Sequence, residues 1–148
     1  QSPYTKSTVK NTLYQGGINV PLFVSGNSVS RNGIDNNLIV STDLFATIAE
    51  IAGVSTNEIH DSKSFKSLLT QSITLRNYQY AELVDGTNEL WALSNGDYKL
   101  IVNSNGTEEM YHLVNDPYET NDLMKGALSA NEQSVKLELE TEVSNIRQ

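Results

Sequence analysis

A chain that performs chemistry must carry groups that move protons, hold a metal or attack a substrate, and this sequence offers few of them. It has two histidines, His60 and His112, and no cysteine. Without cysteine there is no disulfide, no thiolate metal site and no thiol nucleophile. The nucleophile elbow, the phosphate-binding glycine loop and the zinc-binding helix motif are absent as well. His60 stands in Glu58-Ile59-His60-Asp61, with acids beside it but no second histidine, and reads as a surface or packing residue. His112 alternates with Met110 and Val114 on a predicted strand, so it faces the packed side of that sheet or its edge. Asp61-Ser62-Lys63-Ser64 can hold a small anion at a helix start or, more simply, serve as a cap. Lys10 lies in a polar stretch and, on its own, is a solvated loop lysine.

The elements that must position these residues follow from periodicity and turn chemistry. Residues 1–19 show no apolar period, and contain Gly16-Gly17. Val20-Pro21-Leu22-Phe23-Val24-Ser25-Gly26 is a short apolar, β-rich run, predicting a strand with Pro21 near its start. A polar loop over 27–38 follows. The segment 41–53 predicts a helix: Ser41 or Thr42 as cap, Asp43 at the positive end, Gly53 just past the last turn. Leu44, Ile48 and Ile51, flanked by Phe45, Ala49 and Ala52, give it one wide apolar face. A second short helix is expected over 64–69. Beyond residue 72 the pattern changes to four β-like runs, 78–84, 89–94, 97–103 and 107–114. They are separated by Asp85-Gly86, Asn95-Gly96 and Asn105-Gly106, which supply the positive φ of tight hairpin turns and predict an antiparallel meander. Ser129-Ala130-Asn131-Glu132 fits a capping box, and Val135, Leu139, Val143 and Ile146 form the stripe of a terminal helix docked on the meander.

The chain has 148 residues, 38% hydrophobic and 19% charged, in the range of a globular domain. Its net charge of −8 argues against nucleic acid as a partner, since phosphate contacts require clustered Lys and Arg. No apolar run reaches the roughly 18 residues of a membrane span. Residues 1–40 carry Lys6, Lys10 and Arg31 against Asp35, a net of +2, so the remaining 108 residues hold −10. A lone strand followed by a helix is an incomplete parallel layer, which needs neighbours on both sides. The expectation is therefore the end of a larger protein, residues 1–72 holding a βα piece and residues 73–148 a four-stranded antiparallel sheet with a C-terminal helix.

Two stretches are more specific. They are Lys10-Asn11-Thr12-Leu13-Tyr14-Gln15-Gly16-Gly17-Ile18-Asn19-Val20-Pro21 and Glu109-Met110-Tyr111-His112-Leu113-Val114-Asn115-Asp116-Pro117-Tyr118-Glu119-Thr120-Asn121-Asp122-Leu123. Together they resemble the C-terminal third of the sulfatases, in the alkaline-phosphatase-like superfamily. The first is similar to the family's Lys-x-Thr-x-Tyr-Glu-Gly-Gly-x-Arg-Val-Pro segment, and the second to its Leu-Tyr-Asp-Leu-x-x-Asp-Pro-x-Glu-x-x-Asn-Leu segment. Between them, Ser41 to Ala49 resembles the family's Asp-Leu-x-Pro-Thr-Ile helix, and Asp61-Ser62-Lys63-Ser64-Phe65 takes the place of its Asp-Gly-x-Ser-Leu turn. Four motifs match in order from about residue 6 to residue 124.

The resemblance implies that the parent is α/β and that residues 1–72 are the C-terminal part of its catalytic domain. It also implies calcium-dependent hydrolysis of sulfate esters with a formylglycine nucleophile. Both the nucleophile motif, Cys/Ser-x-Pro-x-Arg, and the metal carboxylates lie upstream of the matching region in that family. The chain itself is thus expected to hold no metal site and to be silent alone. Lys10 is its one match to a residue the family uses at the sulfate, which assigns it a catalytic and substrate-binding role: an ammonium facing an anion and neutralising charge on the leaving oxygen. The implied partners are the missing N-terminal part of the catalytic domain and a sulfated small molecule or carbohydrate, and the implied location is periplasmic or extracellular. Where the family has Glu and Arg, this chain has Gln15 and Asn19; if those charges pair in relatives, losing both leaves neither unpaired. The departures leave the fold reading intact and bear on the substrate. Gly16-Gly17 is read as serving backbone geometry. A phosphatase or phosphodiesterase of the same superfamily, and a non-catalytic binding or structural module, are the competing readings.

Overall fold

The computed structural model describes residues 9–55 and 61–148. The chain divides into two compact units, one made of residues 1–21 and 80–148, the other of residues 22–79.

In the first unit the meander is present: β1 (Gln79–Asp85), β2 (Asn88–Ser94), β3 (Tyr98–Asn103) and β4 (Glu108–His112), in the order β1-β2-β3-β4. Both described ladders are antiparallel, with Leu93 opposite Leu100 and Leu100 opposite Met110. The hairpin glycines adopt the left-handed backbone that the turns need, φ 64° at Gly86 and 88° at Gly106. Because side chains alternate along a strand, the register sorts them onto two faces. Leu93, Leu100 and Met110 share one face, and all are fully buried. Helix α3 (Ala130–Ile146) lies against β2 and β3. It starts with the expected capping box: Ser129 Oγ accepts from Glu132 N–H, and Glu132 accepts from Ser129 N–H at 2.7 Å. Leu139 and Val143 are its buried residues, and Lys136 reaches Glu108 on β4 at 3.0 Å.

The opposite face carries Ala92, Ile101 and Tyr111, and its cover comes from the start of the chain. Leu13 packs on it with Tyr14 alongside, just ahead of the single-turn helix α1 (Gln15–Ile18). The sheet is thus buried on both sides, by α3 and by residues 13–14.

The second unit is organised differently. Its helix α2 (Asp43–Ile51) forms where the apolar period requires, and Gly53 follows its C-cap with φ 73°. Neither Ser41 nor Thr42 caps it through a side chain; the Asp43 carboxylate instead accepts from Val40 N–H at 2.9 Å and Lys63 N–H at 2.7 Å. Asp43 is fully buried and also takes Nε of Arg76 at 2.9 Å. Burial pushes its carboxyl upward, but the Arg76 guanidinium and those backbone N–H groups outweigh this and hold it below the ordinary range. Thr47, one turn on, accepts from Phe65 N–H at 2.9 Å and seats the 3-10 turn Lys66–Leu69, where a helix was expected. The apolar face of α2 is turned outward, with Phe45 half exposed and Ile48 63% exposed.

The run Val20 to Gly26 is not a strand. Its residues have β propensity, but a strand exists only as a paired ladder, and no described segment pairs with this one. Phe23 is 92% exposed. No helix among the described residues is long and apolar enough to cross a membrane.

Candidate functional site

The bend at residues 9–12 carries Lys10, whose side chain is exposed. No acidic side chain among the described residues pairs with it. The bend is closed locally: Thr12 Oγ1 donates to the Val9 carbonyl at 2.5 Å, and Asn11 has φ 61°, a conformation asparagine tolerates. Gly17, in α1, backs onto it. A Cβ at Gly17 would fall 2.5 Å from the Thr12 carbonyl oxygen and 2.8 Å from that of Val9, so only glycine allows this approach. The expected geometric role of the glycine pair is thus met at its second member.

Residues 13–15 are each pinned to the sheet unit. The Leu13 carbonyl accepts from Lys99 Nζ at 2.8 Å. The Tyr14 hydroxyl donates to Glu109 Oε2 at 2.7 Å, where the Tyr111 hydroxyl also donates. Gln15 N–H donates to Glu119 Oε2 at 2.5 Å. The Tyr14 hydroxyl is pushed up to about 12, first by burial and then by Glu109, whose charge disfavours a phenolate beside it. Tyr111 moves in the same direction for the same reasons.

Lys99 and Glu119 form a salt bridge with each other. Lys99 is 1% exposed near the start of β3, and Glu119 is buried in the loop after β4. Burial drives the ammonium toward its neutral form and the carboxyl upward, while mutual attraction works against both shifts. Glu119 has φ 56°, unusual for a residue other than glycine. Its loop is held by Asp116, which accepts from Thr120 Oγ1 at 2.9 Å and Asn121 N–H at 2.8 Å. The motif quoted from 109–123 contained Glu119, but its ion pair was not anticipated. The available signal was Lys99 itself, a lone charge within Tyr98-Lys99-Leu100-Ile101-Val102.

The other candidates do not join this site. His60 lies outside the described residues. His112 ends β4, half buried, with its ring 4.4 Å from that of Tyr98. It borders a cavity of about 350 Å³ with Asn115, Asp116, Thr120 and Glu132, whose carboxylates are already engaged by Thr120, Asn121 and Ser129. Ser62 accepts from Ala46 N–H at 3.1 Å and donates to the Thr42 carbonyl at 2.6 Å, so it braces α2. Among the described residues no group of three or more His, Asp or Glu could hold a metal ion.

Residues 8–148 match the protein family described as N-sulphoglucosamine sulphohydrolase, C-terminal. The chain belongs to this sulfatase family. No curated protein sequence matches it. Among solved structures, a Bacteroides thetaiotaomicron protein assigned to the sulfatases is 20% identical, with a TM-score of 0.68 over 77% of this chain and 26% of its own. The protein BT4656, solved with its substrate D-glucosamine-2-N,6-O-disulfate, is 24% identical, with a TM-score of 0.60 over 71% of this chain and 23% of its own. BT1596, a 2-O GAG sulfatase, is 17% identical, with a TM-score of 0.72 over 82% of this chain and 28% of its own. At these identities the likeness is one of fold. The sulfatase C-terminal fold, with its four-stranded antiparallel sheet and terminal helix, is the architecture of this chain. The chain spans about a quarter of the length of those proteins.

Proposed function

We propose that this sulfatase C-terminal portion works within a hydrolase of sulfate esters and that Lys10 is its contribution to the chemistry. The carrying observation is the bend itself: an exposed lysine on a segment whose next residues, 13–15, are each fastened to the sheet unit. An ammonium held this way meets the anionic ester and offsets charge that develops on the leaving oxygen when the S–O bond breaks. Preorganisation matters here, because a donor already in place costs no reorganisation in the transition state.

The substrate class we propose is a sulfated carbohydrate. The family's N-sulphoglucosamine description and the disulfated glucosamine bound by BT4656 support it. Residues 1–72 would complete the catalytic α/β domain, and residues 73–148 would form the sheet and helix beside it. The outward apolar residues Leu44, Phe45, Ile48 and Ile51, which share one side of α2, support a partner segment over that first region, since a contiguous exposed apolar face normally marks an interaction surface. The family also implies calcium, formylglycine and a periplasmic or extracellular location. The described residues do not form a calcium site, and the sequence does not contain the Cys/Ser-x-Pro-x-Arg motif, so both groups would come from the rest of the parent enzyme.

The test is Lys10→Ala in the sulfatase that carries this chain, assayed with nitrophenyl sulfate. Turnover should fall by about 10²-fold or more if the ammonium stabilises transition-state charge. A change of only a few-fold would make Lys10 an ordinary surface lysine.

A further inference from the structure

We infer that Lys99 and Glu119 are positioning residues for Lys10: their buried ion pair grips the backbone of Leu13 and Gln15 and thereby sets where the Lys10 bend stands on the sheet. This rests on the proposed role of Lys10. Three consecutive residues are held from three separate places. Lys99 on β3 binds the Leu13 carbonyl, Glu109 on β4 binds the Tyr14 hydroxyl, and Glu119 in the following loop binds Gln15 N–H. Two of these grips are made by charged groups on backbone atoms, so they act whatever side chain occupies position 15. That explains how glutamine can stand there: its N–H, not its side chain, is the part that Glu119 holds.

The grip is passed on to Lys10 by contact. Gly17, in the turn of helix that begins at Gln15, leaves no room for a Cβ against Thr12 and Val9, and Thr12 closes the bend on Val9. A shift of Gln15 therefore displaces the surface against which the bend is packed. The pair is a poor investment in stability alone, because burying two charges is costly and apolar replacements of similar size are often neutral or better. Glu119 further adopts a left-handed backbone, which needs surrounding structure to hold it and is commonest where geometry serves a site.

The decisive variant is the apolar swap Lys99→Met with Glu119→Leu, which removes both charges and keeps the bulk. Amide hydrogen exchange in the chain should stay slow in β2 and β3 but quicken about 10-fold or more at Gln15 and Gly17, as a lost grip opens the segment locally. In the sulfatase carrying this chain, kcat for nitrophenyl sulfate should fall about 10- to 100-fold, the size expected of a misplacement near 1 Å. Lys99→Met with Glu119→Gln restores an acceptor for Gln15 N–H and should recover part of both effects. Added to Lys10→Ala, the swap should cost nothing further, because it acts through that side chain. Unchanged exchange at Gln15, or losses that multiply with Lys10→Ala, would overturn the proposal. Should the swap fail to fold, the Gln-bearing variant is judged on the same two readings. If Lys10→Ala alone leaves turnover intact, it is the role of Lys10 that fails, and exchange at Gln15 still decides whether the pair holds the segment.

Discussion

The helices of the two units bury opposite kinds of residue. Around the sheet the interior is aliphatic and aromatic: Leu93, Leu100, Met110 and Leu139 on the α3 side, Leu13, Ala92, Ile101 and Tyr111 on the other. In residues 22–79 the buried residues of the helix are Asp43 and Thr47, while Leu44, Phe45, Ile48 and Ile51 on the same helix face outward. The first unit coheres by removing apolar surface from water. The second is laced by hydrogen bonds, with Asp43 to Arg76 and the Lys63 backbone, Thr47 to Phe65, and Arg31 to the carbonyls of Leu68 at 2.8 Å and Gln71 at 2.9 Å. An amphipathic helix with its polar side inward is the arrangement that the apolar partner segment proposed above would require.

The largest effect expected from breaking this contrast is at Asp43. Asp43→Ala strands the Arg76 guanidinium and the N–H groups of Lys63 and Val40, and should cost about 3–5 kcal/mol of local stability. Amide exchange should show it as lost protection at Lys63 and Phe65. Leu139→Ala is the counterpart in the sheet unit: a fully buried aliphatic side chain is removed, and about 2–5 kcal/mol should be lost by denaturant unfolding. A result near zero at either position would mean that the unit is not held as its buried residues indicate.

How much of this was legible beforehand follows the same division. The meander and its helix were readable because their signals are local: Asp-Gly and Asn-Gly turns, a capping box and a stripe at helical spacing. The run Val20–Gly26 was misread because propensity says what a segment prefers, not whether a neighbouring strand is there to pair with it. The α2 period was read correctly, but which side turns inward depends on Arg76 and Phe65, far along the chain. The Leu13 cover and the Lys99–Glu119 pair were missed for that reason too. They join residues 86 and 20 positions apart in sequence, and no short motif encodes such a meeting.

Acid reaches the second unit at its buried carboxylate, whereas the depressed carboxyls of the sheet unit, Asp116 and Glu132, lie in a loop and at a helix start rather than in its aliphatic interior. The folded pKa of Asp43 is depressed, so its contribution is complete above the unfolded value of about 3.9 and is lost as pH falls through the lower folded value. Asp35 shifts the same way, held down mainly by the backbone N–H of Asn37. Residues 22–79 should therefore lose amide protection as pH drops below about 4, before the aliphatic interior around Leu93 and Leu100 does. Loss at Leu93 first, with Phe65 still protected, would reverse the ordering.

The smallest effect belongs to the outward face of α2, and it is the sharpest test of the contrast. Ile48 is 63% exposed, one turn from Leu44 and Ile51. If that face meets only water in the isolated chain, Ile48→Ser removes little buried area and leaves no cavity, so unfolding free energy should change by no more than about 0.5 kcal/mol. Solubility should rise and binding of an apolar dye should fall, because a contiguous exposed apolar patch is being broken. The same substitution in the sulfatase that carries the chain should instead behave as a core truncation, since the side chain would there be covered. A loss of about 2 kcal/mol or more in the isolated chain, the size of a buried aliphatic deletion, would show that Ile48 already packs against something. The unit would then be closed by its own apolar contacts, and the difference between the two regions would disappear.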